Sequence, residues 1–501
     1  MARSPEWNTD NGRADAVDAR PATFLIPSLA RRLVHNHPDD TLHRCPPSVL
    51  VLLNASLVAL LDEQAADDPS DALITLRHLA HQKINAPPFH AVQPQWLRLY
   101  TDATLALVLA RVRRIPRRVD EWRTWVRWLD MVIIVAGAVG PQRDEYVAEV
   151  IQGVQREFAG KEVERYERMA RDTDADADDD DAPPLVPPLS IHYAPLAIPT
   201  PSQPPFTPPP YPIVLRRYAD PSHCPALRLW HRAAHLLARA GPGRVVPVEI
   251  GTSYTDAQWG QRIVPFEVFL QRIGYDLTGL CDGPLSAAAD EEIPTDQPLY
   301  LAQHDLLAQF PRLREDIGAW PDYIYTAPAT HNGETYVPPG NEERLVVNVW
   351  VGNGGGTHGE SVTGGVVSPA HTDPYFNCYL QILGTKRVWL APPHVADAMD
   401  AFPERTDDDG ACAAPDDDDD DDDDLVTSYT TNTSRVPIFV NPDRRLGPTY
   451  ERRYKRFYER AWPESREAVL QPGDMLLMPP KWWHAMRSEG DGVAWSLSMW
   501  Y

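Results

Sequence analysis

The chain has 501 residues, 43% of them hydrophobic, and a formal net charge of −24 at pH 7. That length holds several domains at roughly 100–200 residues each, and the apolar content excludes a wholly disordered protein. Seven Asp within residues 172–181 and twelve within 407–424 account for 19 of the 24 net negative charges, so about −5 remains for the rest.

Residues 1–25 are polar and aperiodic and predict a disordered start without a secretory pattern. From 26 to 171 the pattern is helical. Val49, Leu52, Leu53, Leu57, Leu60 and Leu61 recur at three- and four-residue steps. Trp96, Leu99, Tyr100, Leu105 and Leu109 form a second face, residues 122–135 a third, and Tyr146, Val150 and Val154 lead a last helix. No titratable cluster marks this α-helical domain for chemistry, so docking or stabilisation is its expected role.

Residues 172–212 read as a linker, first acidic and then carrying thirteen prolines within 183–212. Such density forbids helix and favours an extended spacer. Short strands are expected at 213–215, 245–250, 345–351, 378–383, 387–391, 475–478 and 493–500, with helices over 225–240 and 256–273. Many short strands with turn signals predict a jelly-roll over 213–501, the double-stranded β-helix, giving an α+β chain overall. The Asp-rich stretch 405–424 repels itself and reads as a surface insertion.

Five cysteines (Cys45, Cys224, Cys281, Cys378 and Cys412) are odd in number and lack a CxxC pair. They argue for a reducing compartment and against a disulfide framework or a zinc site. No apolar run approaches a membrane span and no nucleic-acid motif stands out, so an intracellular protein, nuclear or cytoplasmic, is expected. The basic run 111–118 would suit nuclear import, although solvated helix ends commonly look the same.

Chemistry concentrates near the C-terminus. His371-Thr-Asp373, followed by His484 in Lys481-Trp-Trp-His484, supplies two imidazoles and one carboxylate, the face that holds non-haem Fe(II) with positions left open. Residues i and i+2 of a strand point to one side, so His371 and Asp373 can grip one metal from a single strand. His484 is expected from a second strand around 476–478. Gly384-Thr385 reads as a two-residue hairpin turn that places Asn377 and Lys386 on one side, where they can hold the two ends of a dicarboxylate.

With these neighbours, residues 212–501 resemble the JmjC-domain Fe(II)/2-oxoglutarate oxygenases. The likeness is carried by Val246-Pro-Val-Glu249-Ile-Gly-Thr-Ser-Tyr254 with Trp259, Leu299-Tyr300-Leu-Ala-Gln-His304, Pro321-Asp-Tyr323 and Val347-Asn348-Val-Trp350. The metal segment and Gln471-Pro-Gly-Asp474 running on to His484 complete it. The resemblance implies a cupin-like catalytic domain using Fe(II), 2-oxoglutarate and O2. Metal ligands would be His371, Asp373 and His484, with Tyr300 and Lys386 on the distal carboxylate of 2-oxoglutarate and Ser368 and Asn377 beside it. Glu249, Tyr254, Trp259 and Trp350 would line the pocket for a substrate side chain.

The expected substrate is a protein or peptide with a basic side chain, such as a histone or a ribosomal or regulatory protein. A carboxylate with aromatic neighbours suits arginine better than methyl-lysine, which calls for an aromatic cage. Arginine C-hydroxylation is therefore the leading expectation, with N-methyl-lysine demethylation as its alternative. A non-catalytic scaffold would have lost a ligand or the lysine, and neither is lost. A cupin isomerase or hydrolase would not need Lys386 and Tyr300.

Overall fold

The computed structural model describes residues 22–34, 41–62, 68–88, 91–114, 121–175, 196–201, 207–251, 259–281, 297–318, 320–325, 327–331, 333–340, 345–353, 366–402, 432–439, 452–490 and 492–501. Tyr254, the insertion 405–424 and most of the linker lie outside them. The chain divides into two compact units, Met1–Glu167 with Gly241–Val245, and Arg168–Ala240 with Val246–Tyr501.

The first unit is helical: α1 (Ala22–Val34), α2 (Pro47–Leu61), α3 (Ser70–Asn85), α4 (Pro94–Arg114), α5 (Trp122–Ala136) and α6 (Arg143–Phe158). Helix α1 begins inside the stretch expected to be disordered. Apolar faces at helical spacing merge into one core, with Leu53, Leu57, Leu76, Leu99, Leu105, Val126 and Val150 buried together. Helix α4 is buried along most of its length, polar residues included. Asp102 resolves that conflict by accepting from Arg98 Nε at 3.0 Å and Arg143 Nε at 2.8 Å. Asp130 holds Arg244 Nη2 at 2.6 Å and the Val245 N–H at 2.8 Å, so residues 241–245 count with the helices.

The second unit is built from strands β1 (Leu196–Ala197), β2 (Ile213–Leu215), β3 (Val245–Ile250), β4 (Gly260–Pro265), β5 (Leu299–His304), β6 (Thr330–His331), β7 (Glu334–Thr335) and β8 (Val346–Asn353). It continues with β9 (Val367–Thr372), β10 (Asn377–Leu383), β11 (Thr385–Ala391), β12 (Arg466–Leu470), β13 (Met475–Met478), β14 (Trp483–Glu489) and β15 (Val493–Trp500). One sheet runs β2-β13-β10-β15-β8-β5-β3-β4 and the other β1-β12-β11-β14-β9. Val388, Leu390 and Met486 of the second sheet pack with Tyr379, Leu476 and Met478 of the first, the sandwich core of a jelly-roll.

Three local expectations fail. Strands β10 and β11 are not a hairpin: β10 pairs with β13 and β15, whereas β11 pairs with β12 and β14. Gly384 between them has φ +69°, and a Cβ there would lie 2.6 Å from the Val493 carbonyl oxygen. The chain turns a corner from one sheet to the other at a point only glycine tolerates. Among the described residues, the helix expected over 256–273 is confined to Phe266–Ile273, because Gly260–Pro265 is a strand and Pro265 stands at the N-cap of the helix that follows. The helix expected over 225–240 is interrupted and forms Ala226–Leu229 and Ala233–Ala240.

Candidate metal centre

Edge strand β9 carries His371, and Asp373 stands one residue beyond its end. His484 is the second residue of the neighbouring strand β14, not of the 476–478 strand expected from sequence, which lies in the other sheet. In the β14–β9 ladder His484 is the direct partner of His371, so both rings leave the sheet on one side. One ligand atom from each of His371, Asp373 and His484 falls within 4.8 Å of the other two. His484 Nε2 and Asp373 Oδ2 are 3.4 Å apart, and the two imidazole centroids 4.1 Å.

Orientation of the rings is fixed from behind. His371 Nδ1 donates to the Pro369 carbonyl at 2.8 Å and His484 Nδ1 to the Trp482 carbonyl at 3.1 Å, which leaves each Nε2 as the ring nitrogen available to a metal. Burial and the neighbouring His484 pull His371 down to about 4, so that ring is neutral at physiological pH. Burial also works against the charged form of His484, but the bond and charge of Asp373 outweigh it and the ring sits above its ordinary value. Burial opposes ionisation of Asp373 as well, and the two histidines overcome it, leaving the carboxyl below its usual range. Two imidazole nitrogens and one carboxylate suit a divalent first-row metal, which would take the place of the proton between His484 and Asp373, and the donor set fits Fe(II).

Lys386 is 2% exposed and faces inward from β11. Its ammonium donates to the Tyr300 hydroxyl at 3.1 Å and lies 5.5 Å from that ring and 5.7 Å from the Tyr379 ring. Among the described residues it has no ion pair, and burial alone pulls its pKa down to about 7. Lys386 pairs with Ser488 and Leu390 with His484, so lysine and ligand stand four positions apart along one ladder, roughly 13 Å at the usual strand rise.

The opposite wall comes from the larger sheet. Ladder partners share a face, which places Tyr300 with Gly352, Trp350 with Ser496, Asn348 with Ser498, and Tyr379 and Asn377 with Ser498 and Trp500. On this wall Asn348 Nδ2, Trp350 Nε1, Asn377 Oδ1, Tyr379 Oη and Ser498 Oγ are buried without a hydrogen-bond partner. Buried polar atoms are normally satisfied, so a row of unsatisfied ones marks a place for a polar ligand. Ser368 sits beside the Tyr300 phenol, whose pKa burial raises far above normal. Asn348, Tyr379 and Ser498 were not expected from sequence. The two-residue alternation from Asn377 to Tyr379, and from Ser496 to Ser498, is the signal that could have found them.

Glu249 is the ladder partner of Tyr300 and shares its face. Burial pushes its carboxyl up. Trp259 counters part of that rise, although the indole N–H makes no well-formed hydrogen bond. Among the described residues Glu249 has no cationic partner.

The cupin-like domain family matches residues 205–501 of the chain. Jumonji C domain-containing protein 5 of Drosophila melanogaster is 34% identical over 282 residues, covering 56% of this chain and 52% of that protein. Lysine-specific demethylase 8 of Xenopus tropicalis is 28% identical over 290 residues, 58% of this chain and 48% of that protein. Its namesake in Danio rerio is 25% identical over 475 residues, 93% of this chain and 96% of that protein. The aligned stretch thus spans about half the length of the first two relatives and nearly all of the third.

Proposed function

This chain belongs to the cupin-like domain family, and from that premise we propose that it is a JmjC-type oxygenase using Fe(II), 2-oxoglutarate and O2 to hydroxylate an arginine side chain of a protein. The observation that carries the proposal is the convergence of His371, Asp373 and His484 beside the strand of Lys386, a buried lysine without an ion pair among the described residues.

A metal centre of this kind supplies oxidising power for C–H bonds as 2-oxoglutarate is decarboxylated to succinate. The chain's own residues do the positioning. His371, Asp373 and His484 would hold the metal. Lys386 and Tyr300 take the distal carboxylate, the lysine as a point charge and the phenol as a hydrogen-bond donor whose oxygen still accepts from the lysine. Asn377 and Ser368 orient the metal-bound end, and Tyr379 and Trp350 exclude water around it. Glu249 takes the guanidinium of the substrate as a bidentate pair, with Trp259 against its face. Tyr254 is assigned to the same pocket from the sequence resemblance.

A buried carboxylate with no cationic partner among the described residues asks for a cation, which is the support for arginine. The second reading, demethylation of a methylated lysine, draws on the names carried by the Xenopus and Danio relatives. Basic protein segments, in histones or in ribosomal and regulatory proteins, are the proposed partners in nucleus or cytoplasm. Among the described residues, no helix is long and apolar enough to cross a membrane.

The test is mass spectrometry of arginine and methyl-lysine peptides after incubation with the protein, Fe(II), ascorbate and 2-oxoglutarate. Gain of one oxygen on arginine is the expected product. Loss of a methyl group from lysine would establish the second reading instead. No peptide modification and no 2-oxoglutarate turnover would leave a binding scaffold.

A further inference from the structure

Asp373 lies beyond the last residue of β9, so no ladder fixes it, and something else must hold this ligand. The segment it opens, Asp373 to Asn377, crosses from one sheet to the other. A small hairpin outside both sheets, β6 with β7, packs against that crossing. Tyr336 follows β7 directly. Its hydroxyl accepts from the Phe376 N–H at 3.0 Å and donates to the backbone carbonyl of Tyr501. The Tyr501 N–H in turn donates to the Phe376 carbonyl at 3.1 Å. Ring contacts repeat the attachment: Phe376 is 5.1 Å from Tyr336 and 5.0 Å from His331, both edge-on.

The other end of the crossing is held by Lys481. Its N–H donates to the carbonyl of Asp373 itself at 2.7 Å. To do so the residue adopts φ +65°, a left-handed conformation that costs a lysine of the order of 1 kcal/mol. Lys481 is also three residues before His484, so one strained turn ties the carboxylate ligand to the second histidine strand. Its side chain is exposed and pairs with the exposed Glu334 at 3.7 Å. A surface pair of that kind contributes little. The backbone N–H is therefore the working part.

We propose that Tyr336 and the Lys481 backbone are positioning residues for Asp373, a brace that sets the metal affinity of the centre from outside the jelly-roll. The inference rests on the metal reading of the His371, Asp373 and His484 site. Partners one step behind metal ligands commonly tune affinity by roughly ten- to a hundredfold, which is the effect expected here.

The test uses the full chain with Co(II) as probe, titrated by its visible absorption, together with the melting temperature of the metal-free protein. Tyr336→Phe leaves the Phe376 N–H and the Tyr501 carbonyl without their shared partner. It is expected to weaken Co(II) binding by roughly tenfold or more with an altered spectrum, beyond any change in melting temperature. Lys481→Gly keeps the N–H and suits a positive φ, so it should bind Co(II) like the wild type. Lys481→Val, branched at Cβ in a left-handed turn, should bind weakly. This pair remains decisive if Tyr336→Phe fails to fold.

Wild-type affinity and spectrum in both Tyr336→Phe and Lys481→Val would overturn the brace while leaving the metal site standing. Equal losses in Lys481→Gly and Lys481→Val would overturn the backbone role of Lys481. Wild-type protein that binds no Co(II), or binds it equally after Asp373→Ala, would remove the metal reading and the brace with it.

Discussion

His484 faces His371 directly across the β14–β9 ladder, and the two ring centroids are 4.1 Å apart. The strands put the imidazoles on one side, and the two backbone carbonyls behind them turn each Nε2 toward Asp373. Two histidines 113 positions apart in sequence thus become neighbours through one ladder contact.

This arrangement predicts a metal-dependent stability. Divalent metal at a hundred times its Kd should add about 2.7 kcal/mol to the folded state. Melting curves should therefore rise with added Mn(II) and fall back with a chelator. Asp373→Ala should show neither change and should lose 2-oxoglutarate turnover. A variant that kept its metal-dependent shift would remove Asp373 from the ligand set.

Lys386 predicts a pH dependence. Its pKa is about 7 in the fold against an ordinary 10.5. Between those values the folded state holds fewer protons than the unfolded one, so this group makes stability climb as pH rises from about 7 toward 10.5. Below about pH 7 the full cost of burying the ammonium is present. A dicarboxylate favours the charged lysine, so binding of 2-oxoglutarate above about pH 7 should take up a proton and weaken as pH rises. Calorimetric titration of Mn(II)-loaded protein in two buffers of different ionisation enthalpy measures that uptake. In Lys386→Met the uptake should vanish and the affinity should fall.

Glu249 separates substrate from cosubstrate. Glu249→Gln keeps the shape but loses the charge, and a lost charge-assisted pair is worth about 1.5–3 kcal/mol. The KM for an arginine peptide should therefore rise by roughly ten- to a hundredfold, while the KM for 2-oxoglutarate changes little. Equal effects on both would place Glu249 elsewhere than in a substrate pocket.

Gly352 makes room for Tyr300. A Cβ at that position would lie 2.7 Å from Tyr300 Cδ2, so Gly352→Ala must push the ring aside. The shift should break the phenol's contact with Lys386, raise the KM for 2-oxoglutarate and cost about 1–3 kcal/mol of stability. Chemical denaturation and steady-state kinetics on the same preparation read both. An unchanged KM would show that Tyr300 is not part of the cosubstrate pocket.

Local pattern settled a good deal of this protein. The extents of β2, β3, β13 and β15 follow residue by residue from apolar runs bounded by turn signals. Residue chemistry at His371, Asp373, His484 and Lys386 named the candidate ligands and the charge beside them, and counting placed most of the net charge in two Asp-rich runs. Pairing could not be read the same way. The two-residue period says which side chains share a face of one strand, yet it carries no information about which strand lies alongside. Gly384 has the look of a hairpin turn in sequence and is a corner between sheets in space.

Tertiary structure alone brought β14 against β9, stood the unsatisfied Asn348, Tyr379 and Ser498 opposite Lys386, and set the β6–β7 hairpin behind Asp373. Such contacts join residues far apart in the chain. They are decided by which packing best offsets the entropy of closing long loops, a property of the whole domain and of no single segment.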